Sequence, residues 1–305
     1  MEKQYKVPQI IQKKWLWFSL SAILIIPGII AWSVWGIKVG VDFKSGTIIE
    51  YQSTNNLTLD EVRAGISSVD LKNKVISLTG DRGFVLKTEA LTDTQHQQLN
   101  ETVGKNIVGT TEKAYTTVGP TIGKDQTTKA VWRVIIASLA IIFYIAFAFR
   151  KVSKPASSWR FGVCAVTALL HDILFVLGAF AILGRFIGFI EVDSLTVTAL
   201  LTIMGFSVHD TIVVFDRIRE NLRLNPGGDF EHIANNSVVQ TLARSLNTSL
   251  TVLIVLLALF LLGGESIKGF TLALLIGITT GTYSSIFNAT PLLVVWQKMT
   301  TQKKL

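Results

Sequence analysis

The sequence predicts a polytopic α-helical membrane protein with six transmembrane helices and one extracytoplasmic α+β domain between the first and second helices. Charged residues make up only 16% of the 305 residues and hydrophobic residues 49%, whereas soluble domains carry about 25% charged residues. Six segments are apolar over the roughly 20 residues that a helix needs to cross a bilayer. One long stretch, residues 38–130, instead mixes polar and apolar residues as a soluble domain does.

The six spans follow from hydropathy and from the residues that flank them. The first, residues 15–37, has tryptophans at both ends, as the interface of a bilayer favours. No small-residue cleavage site follows it, so we expect an uncleaved anchor. The other five fill 131–296, at 131–149, 161–183, 195–215, 242–262 and 270–296. The last is long enough to tilt or bend, and Pro291 favours either near its end.

The distribution of lysine and arginine over the short loops predicts the orientation. The net charge is +8, and the positive charge is concentrated on one side. That side carries fourteen basic residues: Lys3, Lys6, Lys13, Lys14, Arg150, Lys151, Lys154, Arg160, Arg217, Arg219, Arg223, Lys298, Lys303 and Lys304. The short loops opposite carry only Arg185 and Lys268. Both tails, 1–14 and 297–305, are therefore expected in the cytoplasm, and this topogenic role explains the basic charge without a nucleic-acid partner.

The insertion between the first two spans has the pattern of a ferredoxin-like domain. TIIEYQ, VISLTG and GFVLKT are predicted strands, and helices are predicted to open after Thr58 and Thr92. The order strand, helix, strand, strand, helix, strand is that of the split βαβ motif. The insertion contains no cysteine, and the chain's single cysteine, Cys164, lies in an apolar span. An intramolecular disulfide is therefore excluded.

Ionisable residues lie deep inside three predicted spans. Asp172 falls near the middle of the third span, Asp210 follows His209 in the fourth, and Arg244 lies near the start of the fifth. A carboxylate inside a span costs roughly 2.5–3.5 kcal/mol of free energy on membrane-insertion scales. At a rise of 1.5 Å per residue, Asp210 and Arg244 both lie roughly 6–9 Å inside the cytoplasmic edge. Antiparallel neighbouring helices would therefore bring these two charges to the same depth.

Two interpretations of these charges are open. In the first, Asp210 and Arg244 form a structural ion pair that locks the helices in register. In the second, Asp210 binds a proton when Arg244 is distant and releases it when Arg244 approaches. His209 points about 100° away from Asp210 on a helix, which makes a direct role weaker. His171 is weaker still and fits an interhelical hydrogen bond.

The sequence lacks the usual signatures of enzymes and metalloproteins. It contains no G-x-x-x-x-G-K-[ST] loop for a nucleotide, and its four histidines, His96, His171, His209 and His232, show no ligand spacing. We therefore expect no enzymatic activity, no cofactor and no metal. Gly277, Gly281, Ser284 and Ser285 place small residues along the sixth span, which predicts close packing against other helices.

Six dispersed motifs resemble the SecD/SecF family of the bacterial secretion machinery. The resemblance covers nearly the whole chain, with the motifs in the family's order. The motifs are GVDFKSGTIIEY from Gly40, VGPTIGKD from Val118, HDILFVLG, GFSVHDTIVVFDRIREN, QTLARSLNTSLT, and the final hairpin from LFLLGGESIKGF to NATPLL.

The resemblance implies a function and a set of partners. The family belongs to the RND superfamily of proton-driven transporters, and six spans form half of a twelve-span unit that SecD completes. The pair is understood to use the proton motive force to draw unfolded preproteins from the SecYEG translocon, in the bacterial cytoplasmic membrane and alongside a YidC-type insertase. The resemblance assigns the proton relay to Asp210 and Arg244, with Asp172 in support and His209 beside it.

Two residues depart from the family pattern. Ser45 stands where the first of two glycines is usual, and His209 stands where asparagine is usual. The imidazole either changes the pH at which Asp210 titrates or hydrogen-bonds in place of asparagine. Two alternative functions also follow: a scaffold that links translocon and insertase components, and a proton-coupled exporter of small molecules or lipids. A single external domain offers the exporter little room for a substrate cleft.

Overall fold

The computed structural model describes residues 8–72, 74–150 and 157–302 of the chain. In this part of the chain six helices are long and apolar enough to cross a membrane, and a small antiparallel sheet lies between the first two. The predicted fold class is therefore confirmed. Six of the basic residues used to predict the orientation lie outside the described residues: Lys3, Lys6, Lys151, Lys154, Lys303 and Lys304.

The first half of the chain forms the first long helix and the sheet domain, which we define as residues 46–118. In chain order the elements are a 3-10 turn (Ile11–Lys13), α1 (Lys14–Trp35), α2 (Val41–Lys44), β1 (Gly46–Ser53), α3 (Leu59–Gly65), β2 (Val75–Thr79), β3 (Gly83–Thr88), α4 (Asp93–Asn106) and β4 (Thr110–Val118). Capping boxes at Thr58 and Thr92 start α3 and α4, because each side chain satisfies a helical N–H that has no other partner.

The sheet has the strand order β2-β3-β1-β4, with all neighbours antiparallel. This is the order expected of the predicted ferredoxin-like motif. Alternate residues of β1 and β3, including Ile49 and Phe84, pack against Leu99 and Val103 of α4 to form the core of the domain. The opposite face of the sheet borders a cleft of about 320 Å³ and faces the end of the helical bundle formed by residues 188–195.

The second half of the chain is almost entirely helical. It comprises α5 (Pro120–Ala148), α6 (Ser158–Phe186), α7 (Ser194–Leu224), α8 (Phe230–Leu262), α9 (Glu265–Ser284), a π-helical segment (Ser285–Ala289) and α10 (Thr290–Gln302). Several helices exceed the predicted spans. Helix α5, for example, starts at Pro120 rather than near residue 131. Proline is favourable at the first helical position, and bilayer thickness limits the apolar part of a helix but not its polar extension.

The sixth span contains an irregularity between α9 and α10. The five residues Ser285–Ala289 are π-helical, and Pro291 follows them. Proline has no N–H to donate to the carbonyl four residues earlier, which explains why regular α-helical hydrogen bonding is interrupted here. Single π-helical turns are frequent at functional sites. The sequence predicted a tilt or bend near Pro291, and the structure shows a π-helical segment just before this residue.

The bundle has three central and three peripheral helices. At least half of the residues in the apolar parts of α6, α7 and the α9–α10 span are buried, against fewer than a fifth in α1, α5 and α8. Glycines set the closest approaches, as the small residues predicted. A Cβ on Gly277 would lie 2.1 Å from a methyl carbon of Ile203, and one on Gly28 would lie 2.7 Å from Gly178 Cα.

Ser45 has an unusual backbone conformation at the junction of α2 and β1. Its φ is 72° and its ψ 150°, a region that is almost restricted to glycine and costs other residues about 1–3 kcal/mol. The family that the sequence resembles usually has a glycine at this position. The structure retains that conformation with a serine in place.

Candidate functional site

The ionisable residues predicted inside the membrane differ sharply in exposure. Asp172 on α6 is fully buried and Asp210 on α7 is 2% exposed. His209 and Arg244 are both exposed on the surface of the bundle. The candidate site therefore consists of two buried carboxylates and two surface cations or potential cations.

Asp172 joins three helices through hydrogen bonds. Its Oδ2 accepts from the hydroxyl of Ser207 on α7 at 2.7 Å and from that of Ser284 on α9 at 2.8 Å. Its Oδ1 lies 3.0 Å from Nδ1 of His171. Gly281 makes the approach possible, since a Cβ there would lie 3.0 Å from Ser207 Cβ and 3.5 Å from Asp172 Oδ2. The carboxylate is thus held by groups on its own and both neighbouring helices.

Asp210 has fewer and weaker hydrogen bonds. The hydroxyl of Ser249 on α8 donates to its Oδ2 at 3.4 Å, a long distance for this type of bond. The same hydroxyl lies 2.5 Å from that of Thr282 on α9. Asp210 therefore sits where α7, α8 and α9 meet, beside two hydroxyls.

Further hydroxyls lie between the two carboxylates. The hydroxyl oxygens of Thr211 and Ser285 lie 3.1 Å and 3.0 Å from the carbonyl oxygen of Ser207 and 3.0 Å from each other, so the single proton of the Thr211 hydroxyl has two acceptors within reach. All three residues are at most 1% exposed. A hydroxyl both donates and accepts, so this buried polar band has the chemistry needed to transfer protons between helices.

Arg244 does not form the direct ion pair with Asp210 that the sequence suggested. Within the described chain, no carboxylate lies within 4.0 Å of its guanidinium. The cause is its direction on α8: Ser245 and Ser249 face the interior, while Arg244 points about 100° away from Ser245 and reaches the surface.

The structure brings some of the predicted site residues together and separates others, and their assignment to a proton relay stays a prediction. It buries Asp172 and Asp210 in one polar region and places His209 off the face of Asp210, as the helix geometry predicted. Sequence reasoning missed Ser207, Thr211, Ser249 and Thr282. A usable signal was present, because Ser207, Asp210 and Thr211 follow the i, i+3, i+4 spacing that lines one face of a helix.

Within the described ranges, no group of three or more histidine, cysteine, aspartate or glutamate side chains has an arrangement suited to a metal ion. The donors around Asp172 and Asp210 are mainly hydroxyls. The site is therefore best described as a buried carboxylate and hydroxyl network.

Comparison with known proteins identifies the family. Residues 96–299 match the family model described as protein export membrane protein SecD/SecF, C-terminal. The chain is 44% identical over 300 residues to the protein translocase subunit SecF of Thermobaculum terrenum, covering 94% of this chain and 93% of that protein. It is 34% identical to the protein translocase subunit SecDF of Bacillus subtilis, over 93% of this chain and 37% of that protein.

A solved structure shows the same architecture. The crystal structure of SecDF from Thermus thermophilus, described as a translocon-associated membrane protein, superposes with a TM-score of 0.82 at 32% identity. The match covers 98% of this chain and 40% of the SecDF chain. These similarities show that the chain is a multi-pass membrane protein of the SecD/SecF family.

Proposed function

We propose that this chain is an auxiliary subunit of Sec protein translocation that pairs with SecD and uses the proton motive force to complete preprotein export. Its similarity to SecF and SecDF translocase subunits supports the role in translocation. The observation that carries the proton-coupled part is Asp210, a buried carboxylate in an apolar span with one long hydrogen bond. A weakly held buried carboxylate is suited to changing its protonation state.

In this proposal Asp210 binds a proton when Arg244 is distant and releases it when Arg244 approaches. Arg244 already lies on the adjacent helix, α8, so a rotation of α8 would bring its guanidinium closer to Asp210. Ser249 and Thr282 connect Asp210 to α8 and α9. Asp172 supports the relay by holding α6, α7 and α9 together. His209 adds a second titratable group beside Asp210.

The exposed positions of Arg244 and His209 support a membrane partner. His209 lies halfway along α7 (Ser194–Leu224), and both residues face out of the bundle. A charged group facing lipid at such a position is costly, so a second set of helices would cover it. SecD is the proposed partner, and in B. subtilis SecDF the part similar to this chain is 37% of a longer polypeptide.

The proposed location is the bacterial cytoplasmic membrane with both tails in the cytoplasm. Basic residues from distant parts of the chain gather at the end of the bundle away from the sheet domain, where Lys14 and Lys298 both pair with Glu231. The sheet domain would then lie outside, where an unfolded preprotein emerges from SecYEG, with a YidC-type insertase as a further neighbour. The subunit itself would catalyse no covalent reaction.

A scaffold is the second candidate function, and Asp172 favours it. This carboxylate has three partners and joins three helices, which is the arrangement of a structural lock. A pure scaffold would need Asp210 only for assembly.

The test is completion of preprotein transport in vesicles that contain SecYEG, SecD and this chain. ATP is depleted when the preprotein is part-way across, and a proton gradient is then applied. We expect gradient-dependent completion in the wild type and its loss in Asp210→Asn, while the matched control Asp216→Asn, on an exposed position of α7, keeps it. If Asp210→Asn assembles with SecD and completes transport like the wild type, the proton-coupled function is wrong and the scaffold remains.

A further inference from the structure

The junction between α1 and the sheet domain, which we define as residues 38–45, contacts both the sheet domain and the membrane helices. Its helix α2 packs against the start of α5, where a Cβ on Gly123 would lie 3.0 Å from the Phe43 carbonyl oxygen and 3.1 Å from Ser45 N. On its other side the junction leads directly into β1 through Ser45 and Gly46. Movement of this segment would therefore displace the sheet domain.

Asp42 of the junction holds the first residue of α7. Its Oδ2 accepts from the backbone N–H of Ser194 at 3.0 Å and also from the Ser194 hydroxyl. A carboxylate at this end of a helix is additionally stabilised by the helix dipole. Asp42 thus attaches the junction to the N-terminus of the helix that carries Asp210.

Backbone hydrogen bonds reinforce this attachment. Gly40 N donates to the Val192 carbonyl at 2.9 Å, and Val192 N donates to the Lys38 carbonyl at 2.8 Å. Gly40 is needed for the approach, because a Cβ there would lie 3.0 Å from the Cβ of Asp193. The junction and the residues before α7 therefore form one connected unit.

The sheet domain contacts the same loop independently. Lys87 of β3 forms an ion pair with Glu191, whose side chain is 10% exposed. The loop from Glu191 to Ser194 is therefore bonded from the junction on one side and from the sheet on the other.

Helix α7 connects this loop to the proton site. It is continuous from Ser194 to Leu224, and Asp210 lies sixteen positions after Ser194, which corresponds to about 24 Å at a rise of 1.5 Å per residue. An α-helix of this length transmits an axial shift or a rotation to its end because its backbone hydrogen bonds are intact. A change at Asp210 would reach Ser194, Asp42 and then the sheet domain.

From this geometry we infer that Asp42 is a positioning residue that couples the movement of α7 to the sheet domain. Its carboxylate bonds to Ser194 make the N-terminus of α7 and the junction move as one. The inference rests on the proposed proton-coupled function. It assigns a mechanical role to the GVDF motif, which the proton relay does not use.

The test measures proton flux and preprotein completion in parallel. The wild type, Asp42→Ala and the control Asp60→Ala, at an exposed carboxylate of α3, are each assembled with SecD and SecYEG in vesicles. We expect Asp42→Ala to keep gradient-driven proton flux but to lose completion by about tenfold or more, because it removes two hydrogen bonds to a charged group and the loss of even one corresponds to about tenfold. Asp42→Asn keeps an acceptor oxygen and should restore most of the completion.

The outcomes separate this inference from the proposed function. Normal completion in Asp42→Ala, with completion lost in Asp210→Asn, overturns the coupling role and leaves the proton relay intact. Normal completion in both variants overturns both. Equal loss of flux and completion in Asp42→Ala makes Asp42 merely structural and also overturns the coupling role. If Asp42→Ala does not assemble, Ser194→Ala removes only the hydroxyl bond and should show the same separation of flux from completion to a smaller degree.

Discussion

Two buried aspartates of the bundle, Asp172 and Asp210, have very different surroundings. Asp172 accepts two hydroxyl hydrogen bonds shorter than 3 Å and has a histidine beside it, whereas Asp210 has one donor at 3.4 Å and two nearby groups that can carry positive charge. A carboxylate with all its partners in place gains little from a change of protonation state. From this comparison we expect Asp172 to stabilise the bundle and Asp210 to be the group that changes its protonation state in the proposed function.

The largest expected effect is on stability, at Asp172. In Asp172→Ala the hydroxyls of Ser207 and Ser284 lose this acceptor inside the core, so we expect a loss of about 1–3 kcal/mol in the free energy of unfolding for each hydroxyl left without a partner. Thermal unfolding of the purified chain, followed by size-exclusion chromatography, measures it. Asp216→Ala is the exposed control and should unfold as the wild type does. An Asp172→Ala protein of wild-type stability would contradict the structural role.

Removal of one partner of Asp172 should have a smaller effect of the same kind. Ser284→Ala leaves the carboxylate with one hydroxyl and His171, and we expect a loss of about 1–2 kcal/mol. The control on the same helix is Thr279→Ala, since Thr279 is exposed and bonds only within α9. Equal unfolding temperatures for the two variants would show that the Ser284 hydrogen bond contributes nothing.

Removal of the hydrogen-bond partner of Asp210 should alter transport more than stability. Ser249→Ala removes the hydroxyl between Asp210 and Thr282, and a bond as long as 3.4 Å contributes little to folding. We expect unfolding within about 1 kcal/mol of the wild type, but gradient-driven preprotein completion slowed several-fold. Thr251→Ala, an exposed position of α8, is the control. The reverse result, a destabilised protein with normal completion, would remove the distinction between the two aspartates.

A third carboxylate, Glu61 of α3, also accepts two hydrogen bonds but is exposed to solvent. A change at this residue should have the smallest effect of the series. The backbone N–H and the hydroxyl of Thr58 both donate to it at 2.8 Å, and these hydrogen bonds lower the pKa of Glu61 below its ordinary value. A lowered pKa means that the stabilisation is present above the unfolded-state pKa and is lost as the pH falls through the lower folded-state value. We expect the NMR signal of the Thr58 amide to shift in that acidic range and to be insensitive there in Glu61→Gln. A signal that moves equally in both proteins would show that the capping carboxylate is not responsible.

Local patterns in the sequence predicted much of the fold. The capping residues Thr58 and Thr92, the alternation in the strands and the apolar length of the spans are all properties of neighbouring residues, and each predicted its element. The membrane depth of Asp210, inferred from its distance along the chain, stays a prediction of the same local kind.

Rotation of the helices about their axes was harder to predict. Depth alone suggested that Arg244 would meet Asp210, but its direction depends on which face of α8 packs inward, and Ser245 and Ser249 decide that. The hydroxyls around Asp172 come from α7 and α9, so their convergence is a property of tertiary packing. The link between Asp42 and Ser194 joins residues 152 positions apart, and the local pattern contains no sign of it.

The most direct test of the account measures proton movement itself in the two aspartate variants. Liposomes containing this chain with SecD and a trapped pH-sensitive dye are given a pH gradient, and the rate of internal pH change is recorded for the wild type, Asp210→Asn and Asp172→Asn. Asparagine keeps an acceptor for Ser207 and Ser284, so we predict that Asp172→Asn conducts protons nearly as the wild type does and that Asp210→Asn does not. Proton flux that survives in Asp210→Asn and is lost in Asp172→Asn would contradict it.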